Sequence, residues 1–399
     1  MSIFPKIERI TFNASISHFF LMFGYKLFSL YFPLFLIAKG MSLPQVAYAY
    51  VLIYLPIAIF SPITGYLNHK INSWILIILG ILGYAIYCLG MILIESFALF
   101  YLFQILLGIS ATLFFVSMRK ILMAYKMENH NRAFAWFYSS PYYASAIAPI
   151  VGAILIYKFN FIAVFVVSLF LHFLNIIFCL VQFKNHTIKD VVSLQNKKTI
   201  CFAKVCENYQ NVFKKLKQKI ILIPILICFS VLILSGFYRA FFVLFLKDLG
   251  WSQDLILFFV SLISFIFLPI SFFTIKRIGK KDSENNIYQG SILTGILSIV
   301  LGGLGAFASF YSIFLVKFGQ AISGLMFGSG RSGMLAKKLK EYPEEASAID
   351  TIFSPLGVAI GSLFSGLIIT FLGFNNLFIF GGIFVIVVVL AGKRLLTQK

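Results

Sequence analysis

The segment FPLFLIAKGMS, residues Phe32–Ser42, recurs 210 positions later as FVLFLKDLGWS, residues Phe242–Ser252, with six of the eleven positions identical. Three further sets of matches follow in chain order, at offsets of 207, 212 and 214. They are Phe60, Pro62, Ile63 and Ile71 with Phe267, Pro269, Ile270 and Ile278; Ser117, Arg119 and Ala124 with Ser329, Arg331 and Ala336; and Ser140, Pro141 and Gly152 with Ser354, Pro355 and Gly366. Four sets in one order indicate that the chain contains two copies of one unit.

The composition of the chain is that of a membrane protein. Of its 399 residues, 60% are hydrophobic and 12% are charged, whereas a soluble domain carries about 25% charged residues. A spanning helix needs about 20 mostly apolar residues. Twelve such stretches are present, at 10–38, 44–68, 74–94, 97–118, 133–157, 160–183, 219–246, 253–275, 287–307, 309–334, 346–372 and 376–392. We therefore expect an all-α polytopic membrane protein with twelve transmembrane helices in two six-helix repeats. Soluble enzymes, disulfide scaffolds and nucleic-acid-binding domains are excluded.

The positions of the basic residues predict the orientation in the membrane. Of the 33 Lys and Arg, 27 fall in alternate loops and at the two ends, and three fall in the opposite loops. Because basic residues concentrate in cytoplasmic loops, we expect both termini in the cytoplasm and the protein in a bacterial cytoplasmic (inner) membrane. The net charge of +20 then indicates a lipid bilayer as partner and no nucleic acid.

One long connection divides the chain into an N-terminal six-helix half (1–183), a basic cytoplasmic linker (184–218) and a C-terminal six-helix half (219–399). Apolar residues recur in the linker at helical spacing, at Phe202, Val205, Tyr209, Val212 and Leu216. This pattern is typical of an amphipathic helix on the inner membrane face. A plain basic linker is the alternative.

Two six-helix halves, a long middle loop and inside termini resemble the major facilitator superfamily (MFS) over essentially the whole chain. After span 2 this family favours G-x-L-x-D-R-x-G-R-[RK]; residues 65–73 read GYLNHKINS, with His69 where Asp is expected. The second copy, residues 276–281, reads KRIGKK and keeps the basic part. In span 10, KFGQA (317–321) resembles the family's R-x-x-Q-G of span 4. In span 5, APIVGA (148–153) resembles the antiporter motif G-P-x-x-G-G.

Three basic residues lie within predicted spans, namely Lys26, Arg239 and Lys317. A cation near the bilayer centre costs about 2.5–3.5 kcal/mol on insertion scales and is typically functional. The resemblance implies that spans 1, 4, 7 and 10 line a central cavity, where the three cations would converge with no carboxylate at their depth. Polar side chains complete this predicted substrate site: Tyr25, Gln104, Tyr238 and Gln320. Such a site favours a substrate with a carboxylate or phosphate; snorkelling of each cation to the interface is the alternative.

Asp350 is the carboxylate near the inner end of a predicted span, and the repeat aligns it with Trp136, so its charge belongs to one half. The resemblance implies that the loop after span 2 packs against span 11. His69 and Lys70 should then meet Asp350, and Arg119 should lie nearby. A cap at the start of the helix is the alternative for Asp350. The whole predicted gating set is His69, Lys70, Arg119, Arg277, Gly279, Arg331 and Asp350.

His18 and His172 are the histidines within predicted spans, and each is a candidate carrier of a coupling proton. A structural hydrogen bond is the alternative for both. Because no carboxylate lies at mid-depth, anion exchange and facilitated diffusion stay open. The five cysteines form no CxxC pair and no Cys/His set has metal-ligand spacing, so we expect no metal and no cofactor.

These patterns favour a secondary active or facilitative transporter that moves a small anionic or zwitterionic solute by alternating access, with two halves rocking about a mid-membrane site. The span 5 motif favours export, whereas the cationic cavity suits uptake of nutrient anions equally well. An efflux pump for multiple drugs or hydrophobic compounds is the first alternative, and a non-transporting sensor of the same fold is the second. An enzyme is not expected, because the sequence shows no His/Asp/Glu cluster at one membrane face. We expect a monomer.

Overall fold

The computed structural model describes residues 5–32, 35–36, 39–41, 43–94, 96–190 and 202–397, which form a bundle of long helices. The helices are α1 (Arg9–Ser29), α2 (Leu43–Lys70), α3 (Ser73–Leu93), α4 (Phe97–Ala124), α5 (His130–Lys158), α6 (Phe161–Asp190), α7 (Phe202–Leu216), α8 (Lys219–Asp248), α9 (Gln253–Gly279), α10 (Ser283–Gly303), α11 (Phe310–Lys338) and α12 (Pro343–Thr397). Gly373, with φ of 76°, breaks α12 into two segments, α12a (343–372) and α12b (374–397).

The predicted membrane spans coincide with these helical segments. Each of the twelve apolar stretches overlaps one of the segments other than α7, and residues 33–34 and 37–38 of the first stretch lie outside the described residues. Within the described residues, ten segments are long and apolar enough to cross a membrane. The all-α membrane class is thus confirmed, and crossings beyond these ten stay a prediction.

The repeated segments of the sequence end their helices in the same way. Gly40 has φ of 88° and Gly250 has φ of 80°, the left-handed region in which glycine is favoured. In both halves the next amide donates to the carbonyl five positions earlier at 3.1 Å (Met41 to Leu36 and Trp251 to Leu246). This hydrogen bond is part of a Schellman cap, which is the physical reason for the repeated glycine.

The two halves pack against each other through three helices of each half. Following the repeat of the sequence, we name helices α1–α6 the first half and α8–α12 the second half. Between the halves, α2 and α4 contact α12, and α5 contacts α9 and α11. The linker helix α7 lies against α8 and α12.

The first and the last described parts of the chain lie at one end of the bundle. Before α1, Glu8 Oε1 accepts from the amide of Glu128 in the α4–α5 turn at 3.2 Å. The Asn129 side chain of that turn donates to the carbonyl of Gly279, the last residue of α9. Near the C-terminus, Lys393 Nζ lies 5.5 Å from the ring centre of Tyr288, at the start of α10. We name this end the linker side, because α7 packs there as well.

Glycines allow α12a to approach α8 at backbone distance. A Cβ atom added to Gly361 would collide with the carbonyl oxygen of Ile233 and lie 3.1 Å from the Cα of Gly236. A Cβ on Gly357, one turn earlier, would lie 2.6 Å from the Cβ of Leu232. Small residues one turn apart thus bring these two helices together.

Gly361→Ala is expected to lower the free energy of unfolding by about 1–3 kcal/mol, the usual cost of overpacking, because the backbone of Ile233 cannot move aside as a flexible side chain would. Thermal denaturation in detergent measures the loss. Gly303→Ala is the matched control, since a Cβ there has no heavy atom within 4 Å. Equal losses in the two variants would contradict a packing role for Gly361.

Candidate functional site

Lys317 lies in a box of aromatic and amide groups between α11 and α8. Its Nζ donates to Gln320 Oε1 at 2.9 Å and lies 4.1 Å from the ring centre of Tyr238 and 4.3 Å from that of Phe242. The negative faces of aromatic rings attract a cation. In the described part of the chain no carboxylate oxygen lies within 4.0 Å of this ammonium, which is half-buried.

A chain of hydrogen bonds fixes the walls of this box. Gln320 Nε2 donates to the hydroxyl of Tyr238 at 2.6 Å, and that hydroxyl donates to Ser298 Oγ at 2.9 Å. Ser298 in turn donates to the carbonyl of Phe378 at 2.8 Å, and the Tyr238 ring stacks on Phe378. The amide oxygen of Gln320 therefore points at Lys317 because the amide nitrogen is engaged elsewhere. Tyr238, Lys317 and Gln320 form one preorganised unit.

The predicted residues of the first half form a second set. Gln104 Nε2 donates to the hydroxyl of Tyr87 at 3.2 Å, and Gln104 is fully buried. The Phe28 ring contacts both Tyr87 and Tyr25, with ring centres 6.1 Å and 5.4 Å away. Lys26 follows Tyr25 on α1 and is half-buried.

The side chain of Arg239 lies outside the described residues, so the predicted convergence of three cations stays a prediction. The contacts above join Tyr238, Lys317 and Gln320 in the second half. They also join Tyr25 to Gln104 in the first half, through Phe28 and Tyr87.

Asp350 is the centre of a buried cluster that joins the halves on the linker side. Its Oδ1 accepts from Arg331 Nε at 2.6 Å, and its Oδ2 lies 3.6 Å from Arg119 Nε across the interface. Ser332 Oγ donates to Oδ2 at 2.6 Å, and the hydroxyl of Tyr138 donates to it at 3.3 Å. Asp350 is fully buried, and the two arginines that flank it are the repeat-related pair of the sequence.

The alternative that Asp350 caps a helix is wrong. Helix α12 begins at Pro343, so Asp350 lies two turns inside it. The first turn holds Glu344 and Glu345 instead. Next to Asp350, Thr351 Oγ1 accepts from Arg119 Nη1 at 2.8 Å, which attaches the same arginine to α12a a second time.

The prediction that His69 and Lys70 meet Asp350 is wrong for both residues. His69 Nε2 lies 2.9 Å from Glu345 Oε1, and both groups are buried. Lys70 is exposed and lies over the ring of Tyr66. Because α12 begins three residues earlier than its apolar stretch, the acidic first turn takes the place expected for Asp350.

A third contact joins the α4–α5 turn to the α9–α10 turn. Asn129 Nδ2 donates to the carbonyl of Gly279 at 2.7 Å, and Asn131 Nδ2 donates to that of Lys281 at 3.1 Å. A Cβ on Gly279 would lie 3.4 Å from the side chain of Arg132, so a small residue fits here. Arg277, also in the predicted gating set, lies exposed in the last turn of α9.

The linker helix α7 packs across the closed linker side. Its residues Val205 and Val212 are buried against the bundle. The hydroxyl of Tyr209 donates to the carbonyl of Pro62 on α2 at 3.1 Å, and Asn208 Nδ2 donates to Glu345 Oε1 on α12a at 3.0 Å. A helix is thus present, and its apolar face covers protein from both halves.

The end of α7 is attached to the turn before α12. Lys215 Nζ donates to Glu341 Oε2 at 2.7 Å and lies 5.0 Å from the ring centre of Tyr342. The hydrogen bond from Lys215 lowers the pKa of the exposed Glu341 carboxyl.

His18 and His172 are buried in the first half. His18 Nδ1 lies 2.8 Å from the carbonyl of Phe137, and its ring stacks on that of Phe137. His172 Nε2 lies 3.3 Å from Ser168 Oγ, while its Nδ1 has no hydrogen-bond partner in the described structure. These contacts hold both rings within the packing of the first half. A role in proton coupling stays a prediction for both histidines.

The comparison with protein families decides the assignment. The family model described as "Major Facilitator Superfamily" matches residues 14–336. The chain belongs to the major facilitator superfamily. Among curated protein sequences, none matches it.

Solved structures of this superfamily share the MFS fold. The human organic anion transporter MFSD10 (TETRAN) superposes with a TM-score of 0.74 at 12% identity, over 96% of this chain and 99% of that one. The proton:xylose symporter XylE, bound to 6-bromo-6-deoxy-D-glucose, gives 0.72 at 12% identity over 96% and 94%. The fucose:proton symporter FucP of E. coli gives 0.72 at 12% identity over 98% and 98%.

The MFS chain also uses residues that the sequence reasoning missed. Glu345 meets His69 at the linker side, Asn208 donates to the same Glu345 carboxylate, and Tyr138 reaches Asp350 from the other half. Pro343 is the residue that predicts the position of Glu345. Proline favours the first turn of a helix, so it indicates that α12 begins there and that Glu345 lies in its first turn. Nothing in the local pattern around Tyr138 predicts its partner, which is 212 residues away.

Proposed function

We propose that this MFS protein is a secondary transporter that moves a small anionic or zwitterionic solute by alternating access. The observation that carries the proposal is the ammonium of Lys317. It is half-buried, it is held by aromatic rings and one amide, and no described carboxylate lies within ion-pair distance of it.

An anionic substrate group satisfies this ammonium better than the protein does. The amide oxygen of Gln320 accepts from one of its three N–H donors, and aromatic faces attract the charge without neutralising it. The Coulomb attraction between this ammonium and a carboxylate about 4 Å away is roughly 4 kcal/mol at an effective dielectric constant of about 20. Lys26, Arg239, Tyr25 and Gln104 belong to the same proposed site.

The similar structures support a transporter of small organic solutes. One is described as an organic anion transporter, and two are sugar:proton symporters. For this chain, Lys317 favours the anionic class over a neutral sugar.

Alternating access is supported by where the halves touch. The contacts of Asp350, His69 and Asn129 join them at the linker side, so a path from the substrate site to that side requires these contacts to break. Along α11, a Cβ on Gly324 would lie 3.5 Å from the hydroxyl of Tyr142 on α5. A Cβ on Gly328 would lie 3.8 Å from the ring of Tyr138. This smooth surface suits rocking of one half on the other.

The proposal also covers placement and direction. The linker side, with both termini, faces the cytoplasm of a bacterium, because 27 basic residues belong to that side and three to the other. The protein acts as a monomer in the inner membrane. The span 5 motif favours export over uptake.

A second function, efflux of hydrophobic compounds, is favoured by the aromatic lining next to Lys317. The rings of Phe314 and Phe318 stack along α11 with centres 5.9 Å apart, and Phe318 contacts Phe267 on α9. Flat hydrophobic compounds stack well on such rings.

A ligand panel distinguishes the two functions. Thermal stability in detergent is measured with mono- and dicarboxylates, sugar phosphates, amino acids, neutral sugars and hydrophobic cations, and each hit is tested for counterflow in proteoliposomes. We expect anions or zwitterions to raise Tm, since a ligand at 100 times its Kd stabilises by about 2.7 kcal/mol. Stabilisation by hydrophobic cations alone would support the efflux pump instead. Binding without counterflow would indicate a sensor and refute transport.

A further inference from the structure

Three potential metal ligands from the two halves lie together at the linker side. They are His69 at the end of α2 and Glu344 and Glu345 in the first turn of α12a. Their imidazole and carboxylate atoms all lie within 4.8 Å of one another. We propose that these side chains bind a divalent transition-metal ion, which clamps the two halves together when the linker side is closed.

The carboxylate of Glu345 is incompletely satisfied without such an ion. Its Oε1 lies 2.9 Å from His69 Nε2 and accepts from Asn208 Nδ2 at 3.0 Å. Its Oε2 is buried without a hydrogen-bond partner in the described structure, and the side chain is only 1% exposed. An unpaired buried carboxylate oxygen is costly, and a cation is the group that satisfies it most completely.

The charges around the cluster favour an additional cation. Lys120 Nζ lies 3.4 Å from Glu344 Oε1 and balances that carboxylate. Glu345 faces an imidazole and a neutral amide, as described above. A metal ion would balance the second carboxylate and remove the repulsion between two neighbouring acidic side chains.

The distances suit a transition metal. Zinc lies about 2.0–2.2 Å from imidazole nitrogen and carboxylate oxygen, so two neighbouring ligands of one ion are roughly 3 Å apart. His69 Nε2 and Glu345 Oε1 are 2.9 Å apart in a hydrogen bond, so an ion would displace the shared proton and needs only a small movement of the two side chains. Imidazole selects Zn²⁺, Ni²⁺ or Co²⁺ over Mg²⁺ and Ca²⁺, which prefer oxygen ligands alone. We therefore assign the site to the Zn²⁺ class.

The metal would act on conformation, because its ligands come from both halves. When the linker side opens, α2 and α12a separate and His69 leaves the two glutamates. The ion then binds the closed state alone and shifts the population toward it. The sequence reasoning expected no metal, because residues 69 and 344–345 are too far apart in the chain to form a spacing motif.

The test uses the full-length protein in detergent, with any polyhistidine tag removed and after treatment with EDTA. Zn²⁺ binding is measured by titration calorimetry and by the change in Tm, for wild type, His69→Gln, Glu345→Gln and Glu344→Gln. We expect one Zn²⁺ per protein, a rise of several degrees in Tm, and at least about 100-fold weaker binding in His69→Gln. Loss of even an outer-shell partner costs 10–100-fold.

Two controls keep the result specific. His130→Gln changes a histidine at the same end of the bundle that is not in the cluster, and it should bind Zn²⁺ like wild type. Mg²⁺ at the same concentration should leave Tm unchanged. Binding in His69→Gln equal to wild type, or equal stabilisation by Mg²⁺, would overturn the proposal and leave a plain hydrogen bond between the halves.

Discussion

Asp350→Asn is expected to weaken the closed linker side. The resting population should shift at least about tenfold toward the conformation whose substrate cavity opens to the linker side. In the closed state, Arg331 and Arg119 approach one carboxylate from opposite halves, at 2.6 Å and 3.6 Å. The variant leaves two buried guanidinium groups around a neutral amide. Removing one partner of a buried ion pair costs about 3–5 kcal/mol.

Only part of this cost drives opening, because Arg331 belongs to the same half as Asp350 and stays beside it in both states. Arg119 belongs to the other half and leaves the cluster when the linker side opens. If about 1.4 kcal/mol is felt only in the closed state, the population ratio changes tenfold. The predicted effect therefore depends on Arg119 rather than on Arg331.

Spin labels at two exposed positions, Lys70 on α2 and Lys340 after α11, measure the separation of the halves in a background with the native cysteines replaced. The distance should lengthen in Asp350→Asn. It should return part of the way in Asp350→Asn combined with Arg119→Gln, which removes the excess cation. Asp282→Asn removes a carboxylate at the start of α10 and should have no effect. An unchanged distance in Asp350→Asn would show that the carboxylate serves its own half alone.

The sequence predicted the fold because the repeat and the apolar stretches are local signals. Gly40 and Gly250 stand at the same place in both copies for a backbone reason, a positive φ that glycine adopts without strain. The backbone N–H and C=O groups of a chain that crosses a bilayer must pair within the segment, because lipid tails offer no hydrogen-bond partner. An apolar stretch of about 20 residues therefore predicts a helix whatever the segment packs against.

The gate was harder to predict because it depends on register. Hydropathy placed the start of span 11 at residue 346, and the helix begins at Pro343, so the acidic first turn was left out. His69 therefore meets Glu345 where Asp350 was expected. The contact of Tyr138 with Asp350 depends on how the halves dock, which no local pattern records.

The sequence of the linker helix α7 predicts its conformation but not the surface that it covers. Its spacing predicts an amphipathic helix correctly, and a membrane surface and a protein surface demand the same apolar face. Only the fold decides between them, by placing the Tyr209 hydroxyl on the backbone of Pro62 and Val212 against the bundle.

Lys317→Met is expected to weaken binding of the strongest anion of the ligand panel by roughly 10- to 150-fold. Methionine keeps the length of the side chain and removes its charge. A hydrogen bond to a charged group is worth about 1.5–3 kcal/mol, which corresponds to that range of Kd. Counterflow of the same anion in proteoliposomes should fall with the affinity. Lys247→Gln, which removes an exposed lysine in the last turn of α8, should change neither.

The stability of the ligand-free variant separates a substrate site from a structural one. If the role of Lys317 is to bind an anion, its half-buried charge is uncompensated in the ligand-free protein and lowers the stability of that protein. Lys317→Met should then raise Tm or leave it unchanged. If the rings of Tyr238 and Phe242 hold the ammonium for the sake of the fold, Met should lower Tm, because cation–π contacts are lost. Lower Tm with unchanged anion affinity would contradict the substrate role of Lys317. Weaker binding with unchanged or higher Tm would place the anion at this ammonium.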